Sequence, residues 1–283
     1  MSPLLTYIRP YEFSPAVLIG CLGAVILYLL GMRKRRLAGE KNGFWRSLSF
    51  FFGVALIYVV MQTYVDYLSQ HMFWVHRVQH LVLHHLAPVF IVLAYPRVTL
   101  ASAIPLRWRR QVLLPLWENF PLGTLYNFIQ NPIVAPLLFF GLIFYWLQPE
   151  LHFDAMLSSS MYQLMNWSML IDGLLFWWLM LDDRMPHPSR TLHYPIRILI
   201  LFLVMLAQII LGSHIAMEKT VIYDVYSVCG RAWPIDPITD QMVGGLTTWI
   251  PAGMMSVIGI ILVIRLWMRH SVALEEAAAV SAG

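Results

Sequence analysis

Seven apolar runs, each close to the length of a bilayer crossing, leave this chain little freedom in fold class. They lie at about 14–32, 47–68, 72–94, 131–148, 158–181, 196–217 and 242–267. A helix needs about 20 such residues to cross the hydrocarbon core, where backbone polar groups must be satisfied internally. Composition agrees: of 283 residues, 59% are hydrophobic and only 12% charged, about half the charge of a soluble domain. The runs predict an all-α polytopic transmembrane helical bundle of about seven spans. Residues 1–270 form a single integral-membrane domain, and the small-residue-rich tail 271–283 is expected to be disordered. The first run has no basic stretch before it and no small-residue cleavage pattern after it, so it reads as a retained span.

The basic residues sort by loop. Arg33-Lys34-Arg35-Arg36 with Lys41 and Arg46, then Arg97, Arg107, Arg109 and Arg110, then Arg184, Arg190 and Arg197, then Arg265 and Arg269 all fall on one side of this map. Arg9, Lys219 and Arg231 fall elsewhere, and Arg77 lies inside the third run. By the positive-inside rule the N-terminus is outside and the C-terminus inside. Spread in this way, the formal charge of +4 makes no nucleic-acid surface. Cys21 and Cys229 form no Cys-x-Cys or Cys-x-x-Cys pair, so a thiol-based metal shuttle or redox motif is not supported. Residues 105–120 mix Arg and Trp with Leu and predict an interfacial helix. The outer loop from Glu218 to Gln241 is acidic and aromatic; it reads as a folded lid, with docking of a partner or a cation as the other use.

The polar residues within the apolar runs carry the chemistry. His76, His80 and His84 are spaced by four, which on a helix puts them on one face, drifting roughly 40° and rising about 6 Å per step. With the N-terminus outside, His71 and Met72 sit at the outer surface, and the row descends from there toward mid-membrane. Polar side chains at such depths are costly and face an interior or a ligand. Imidazoles with thioethers suit a soft ion, Cu(I) above all. The primary candidate metal ligands are His76 and His80; Met72, His71, His84, Met165 and His214 are additional candidates. His84 and His85 also read as structural residues, the methionines also as packing, and His152 as a surface histidine. Asp172 is the buried carboxylate of the fifth run. Arg77 is expected to pair with Asp66 or to snorkel outward.

His76-x-Val78-Gln79-His80-Leu81-x-Leu83, followed by Leu86-Ala87-Pro88 and Tyr95-Pro96, resembles the signature helix of the CtaG family of cytochrome c oxidase assembly factors. Three later segments resemble it too: Asp172-Gly173-Leu174-Leu175-Phe176-Trp177, Ile222-Tyr223-x-x-Tyr226, and Asp240-Gln241-x-x-Gly244-Gly245 with Trp249-x-Pro251. The resemblance implies a multi-pass protein of the bacterial inner membrane with no enzymatic activity. It would handle copper transiently for the oxidase subunit that carries the copper B centre of the haem–copper oxidase. Two positions depart from the pattern: Arg77 stands where Met is usual, and Asn166 where many members have a further histidine. The alternative is a haem-binding or haem-transferring membrane protein, with His80 and His214 as axial ligands from different spans. His80-x-x-x-His84-His85 also resembles one histidine box of membrane di-iron hydroxylases, but that chemistry needs several such boxes.

Overall fold

The computed structural model describes residues 12–119, 122–183 and 192–282. Arg9, Phe120, Arg184, His187, Arg190 and the terminal Gly283 lie outside these. Every regular element among the described residues is helical. In chain order they are α1 (Pro15–Leu37), α2 (Phe44–Gln62), α3 (Tyr64–His71), α4 (Phe73–Leu81), a π turn (Val82–Leu86), α5 (Ala87–Leu93) and α6 (Pro96–Ala103). Then follow α7 (Leu106–Trp108), a second π turn (Arg109–Leu113), α8 (Leu114–Asn119), α9 (Leu122–Ile129), α10 (Val134–Trp146) and α11 (Pro149–Leu157). The chain ends with α12 (Ser159–Leu181), α13 (Tyr194–Met217), α14 (Val225–Val228) and α15 (Pro237–Ala282).

Five of these helices are long and apolar enough to cross a membrane, and the number rises to as many as seven if each of two bent pairs is one span. One pair is Phe73–Leu93 with Pro96–Ala103, bent by 75°; the other is Leu122–Ile129 with Val134–Trp146, bent by 79°. The molecule is therefore the all-helical polytopic bundle that the apolar runs predict. Large apolar side chains point outward all round it, among them Ile19, Leu137 and Ile210. In water such a surface drives association; against lipid it is the expected exterior.

Two expectations need correction. The fourth run forms only the 13-residue helix α10, too short for the roughly 30 Å core at 1.5 Å per residue. Its start at Asn131-Pro132 breaks the helix, because proline restricts the residue before it. Met72 does not sit at the outer surface. It is the extended residue between α3 and α4 and is fully buried where the two helices meet. The helix α15 continues to Ala282; the alanines and glutamates near its end are strong helix formers.

The long helices approach where small residues permit it. A Cβ on Gly245 of α15 would sit 2.5 Å from the backbone nitrogen of Ala216 on α13, so the two backbones meet as small-residue faces do in membranes. Residues 105–119, where one interfacial helix was expected, form a run of short helical pieces instead, with Leu106 and Trp108 exposed.

Candidate functional site

The third span is built around a single local event. Pro88 has no backbone N–H, so the carbonyl of His84 four residues earlier loses its helical partner. The helix widens into the π turn at Val82–Leu86, and the indole Nε1 of Trp177 on α12 donates to the freed carbonyl at 3.1 Å. Gly173, one turn before Trp177, lets α12 come that close. A Cβ there would sit 2.6 Å from the same carbonyl oxygen. His84 Nε2 lies 2.9 Å from Asp172 Oδ2, and its ring stacks on Phe139 at 3.9 Å. The Asp172–Trp177 segment is thus a docking surface for His84. Asp172 is partly exposed; the most buried carboxylates are Asp66 and Asp240.

The outer end of the same span is held by the last motif. Asp240 Oδ2 and Oδ1 accept from the backbone nitrogens of Phe73 and Trp74 at 3.1 and 2.9 Å. A carboxylate from α15 therefore satisfies two free amides at the start of α4, where the helix dipole favours negative charge. Arg231 reaches Asp240 at 3.3 Å. Gln241 accepts from Ile222 N and donates to Thr220 O, at 2.6 and 3.0 Å. This ties down the outer loop, which tucks Tyr223 and Tyr226 into the bundle and behaves as the lid that its composition suggested. Gln79 lies beside the histidine row, turned toward α2 and α3. Its Nε2 donates to Val60 O and Asp66 Oδ1, at 2.7 and 2.8 Å, and the Tyr162 hydroxyl completes that group at 2.8 Å from Asp66.

Between these anchors three imidazoles converge. The rings of His76 and His80 are 4.2 Å apart, and those of His76 and His152 are 5.1 Å apart; all three residues are buried. Tyr162 and Tyr226 close the cluster on further sides of His76. His152 is therefore not a surface histidine. Its helix α11 starts on Pro149 and lies against the lid, a pairing with Tyr226 across 74 positions that local sequence does not signal.

Hydrogen bonding fixes the protons on two of the three. Arg77 Nη1 can only donate, so at 3.3 Å it makes His80 Nδ1 an acceptor. His80 Nε2–H then donates to Asn166 Oδ1 at 3.2 Å. His152 Nδ1–H donates to the Trp146 carbonyl at 3.0 Å, leaving Nε2 to accept from the Tyr226 hydroxyl at 2.9 Å. Burial drives the His152 pKa down to about 4, so it is neutral at physiological pH, and burial raises that of Tyr226. His76 is different. Both its ring nitrogens are buried and neither makes a hydrogen bond, although the Ser69 backbone lies close. A buried imidazole without partners costs roughly 1–3 kcal/mol of lost solvation.

Arg77 neither pairs with Asp66 nor snorkels outward. It is buried, and its Nε donates to Thr248 Oγ1 at 2.9 Å; Asp66 is engaged instead by Gln70, Gln79 and Tyr162. Below Arg77 a cavity of about 10 Å³, lined by His80, His84, His85 and Gln208 among others, has room for about one water. Of the remaining candidates, Met165 and Met169 are buried in the apolar cluster that contains Phe73, Tyr162 and Tyr226. His71 is partly exposed, with Nδ1 2.8 Å from Gly230 O. His214 is exposed on α13, on the outside of the helix and apart from the buried row. Its helical phase explains this, since Gly212 and Ile215 are the neighbours that face the bundle. Among the described residues, no three His, Cys, Asp or Glu side chains are arranged to hold a metal ion as they stand.

The family model described as cytochrome c oxidase caa3 assembly factor matches residues 26–270. Uncharacterized proteins of Mycobacterium bovis and Mycobacterium tuberculosis are each 27% identical over 259 residues, 89% of this chain and 39% of theirs. One from Mycobacterium leprae is 26% identical over 267 residues, 92% of this chain and 40% of its own. The chain thus spans about two fifths of the length of the curated relatives it matches. No solved structure matches it. The stretch matched by the family model holds the whole buried cluster and every segment that anchors it, and on that match the chain belongs to the CtaG family of cytochrome c oxidase caa3 assembly factors.

Proposed function

We propose that this protein serves the assembly of a haem–copper cytochrome c oxidase by holding Cu(I) in transit on the outer side of the membrane and releasing it to the subunit that carries the copper B centre. The observation that carries the reading is His76, whose two unpartnered nitrogens lie buried between His80 and His152. Imidazole nitrogen is a suitable donor for Cu(I), and the buried thioethers of Met165, Met169 and Met72 offer soft ones nearby. His80 joins as a ligand only by giving up its bond to Asn166, which makes it a secondary donor. His71 and His214 take no part in the buried cluster, and His84 is occupied by Asp172.

A carrier must let its cargo go. Arg77 supports this, because its charge is buried and bonded to His80. At about 4 Å and an effective dielectric of about 20, a second positive charge is opposed by roughly 4 kcal/mol. Arg77 also lines the cavity at His80, His84 and His85, so copper passing inward from the cluster would meet the same opposing charge. The reading is therefore one of receipt and release on one side, and not of transport through the bundle. The haem alternative loses its ligand pair, because His80 is buried and His214 is exposed.

The test is chelator competition for Cu(I) on purified protein under reducing conditions, alongside the copper and haem content of the oxidase made in cells carrying the His76→Ala, His80→Ala double variant. The expected result is lost copper retention and an oxidase with its haem but short of copper, partly rescued by added copper. Full oxidase activity of the double variant at low copper would overturn the reading.

A further inference from the structure

At the opposite end of the bundle from His76, a groove of about 360 Å³ opens between the start of α2, the end of α5 and the stretch of α15 from Leu262 to Arg269. Its lining includes Arg46, Arg265 and Arg269, with Trp45, Tyr95 and Leu262. Among the described residues none of the three arginines makes an ion pair. Arg265 and Arg269 stand one turn apart on the same face of α15, a like-charge spacing that is unfavourable unless an anion joins them. A neighbouring cavity of about 450 Å³ differs in kind, since it sets Asp182 and Asp183 beside Arg97 and Arg109. Among the described residues the first groove has no carboxylate in its lining, although Tyr95 is shared by both cavities.

The groove is also built rather than incidental. Tyr95 has φ +48°, the only non-glycine residue among those described with positive φ. Such a conformation is uncommon for an aromatic side chain, and strain of this kind tends to collect at sites that use it. Here it starts the 75° bend between the third span and α6, which turns α6 away from the span axis at the mouth of the groove. The Tyr95 ring in turn lies 5.0 Å from the Arg46 guanidinium carbon, a cation–π contact that orients Arg46.

We infer that this groove binds the phosphate headgroup of an anionic phospholipid. Three unneutralised guanidiniums match phosphate oxygens, and basic pockets between transmembrane helices are suited to lipid phosphate. The volume is that of a small-ligand site. The lipid is favoured over a phosphate ion from solution by the walls: Leu93, Leu262 and Leu266 come from the apolar spans, and the exposed Trp45 is placed as interfacial tryptophans are, at headgroup level. The assignment is independent of whether the outer cluster carries copper.

Native mass spectrometry of the full chain, titrated with cardiolipin, phosphatidylglycerol, phosphatidylcholine and inorganic phosphate, tests the assignment. Anionic lipids should remain bound at collision energies that strip phosphatidylcholine. Each of Arg46→Gln, Arg265→Gln and Arg269→Gln should weaken that retention by about five-fold, the equivalent of about 1 kcal/mol per basic residue. A photoactivatable cardiolipin on the unmodified protein should crosslink to peptides from 45–49 and 262–269, a readout that needs no variant to fold. Equal retention of phosphatidylcholine, an unchanged preference in a well-folded triple variant, or crosslinks confined to other segments would overturn the assignment. Displacement of the lipid by millimolar inorganic phosphate would overturn the lipid source in favour of a soluble phosphate.

Discussion

The outer and inner halves of the histidine row have the same spacing and opposite chemistry. At the inner end His84 gives its ring to Asp172 and Phe139 and its carbonyl to Trp177, and His85 lies 3.0 Å from Gln208 Nε2. Both side chains hold helices together. At the other end neither ring nitrogen of His76 meets hydrogen-bond geometry, with only the Ser69 backbone close by, although its neighbours His80 and His152 each have two bonds. Periodicity places residues on a face; the partner set decides whether a histidine is a bolt or an open donor. Three perturbations separate the halves, beginning with the largest.

Gly173→Val should destabilise the fold by about 3 kcal/mol or more, because its side chain must displace the His84 backbone, 2.6 Å from the added Cβ. Denaturant titration in detergent would show this, and a near-neutral result would mean that the inner half is looser than its contacts require.

Acid should act on the outer half. The neutral His152 of the folded state has its pKa lowered to about 4, from an ordinary value of 6.5, by burial. A base depressed in this way lends stability that is complete above the ordinary value and is lost as pH falls through the folded one. Between pH 6.5 and 4 the loss should reach about 3 kcal/mol. It should appear first as faster hydrogen exchange in residues 149–157 and 223–228. His152→Phe should flatten that dependence, and an unchanged profile would show that another group governs it.

Asp172→Asn should cost less, about 1.5 kcal/mol, through weakening of the bond to His84. It should leave Cu(I) retention untouched. A fall in retention would move the cargo site inward.

The architecture was legible in the sequence because bilayer thickness fixes span length; it misled at 131–148, where Asn131-Pro132 cuts the run short. The four motif segments were visible as a pattern, but their purpose was not. That Gly173 exists for the backbone of His84, or that Asp240 caps a helix starting 167 residues earlier, depends on packing between distant elements. His76 and His80 stood out through their spacing. His152 carried no such signal, because a lone histidine on a short helix between spans is ordinarily at the surface. His214 lay at the right depth but on the wrong face, a matter of helical phase that hydropathy does not resolve. Arg77 was assigned a carboxylate partner on grounds of charge, whereas a hydroxyl and an imidazole accept its hydrogen bonds.

The central claim is that His76 is kept for a cargo and not for the fold, and His76→Phe tests it most directly. Phenylalanine fills a similar space and removes two buried nitrogens that bond to nothing. The variant should be as stable as the parent or up to about 1 kcal/mol more so, while losing its Cu(I) in competition with a chelator. A variant clearly less stable than the parent, or one that retains Cu(I) as the parent does, would contradict the account.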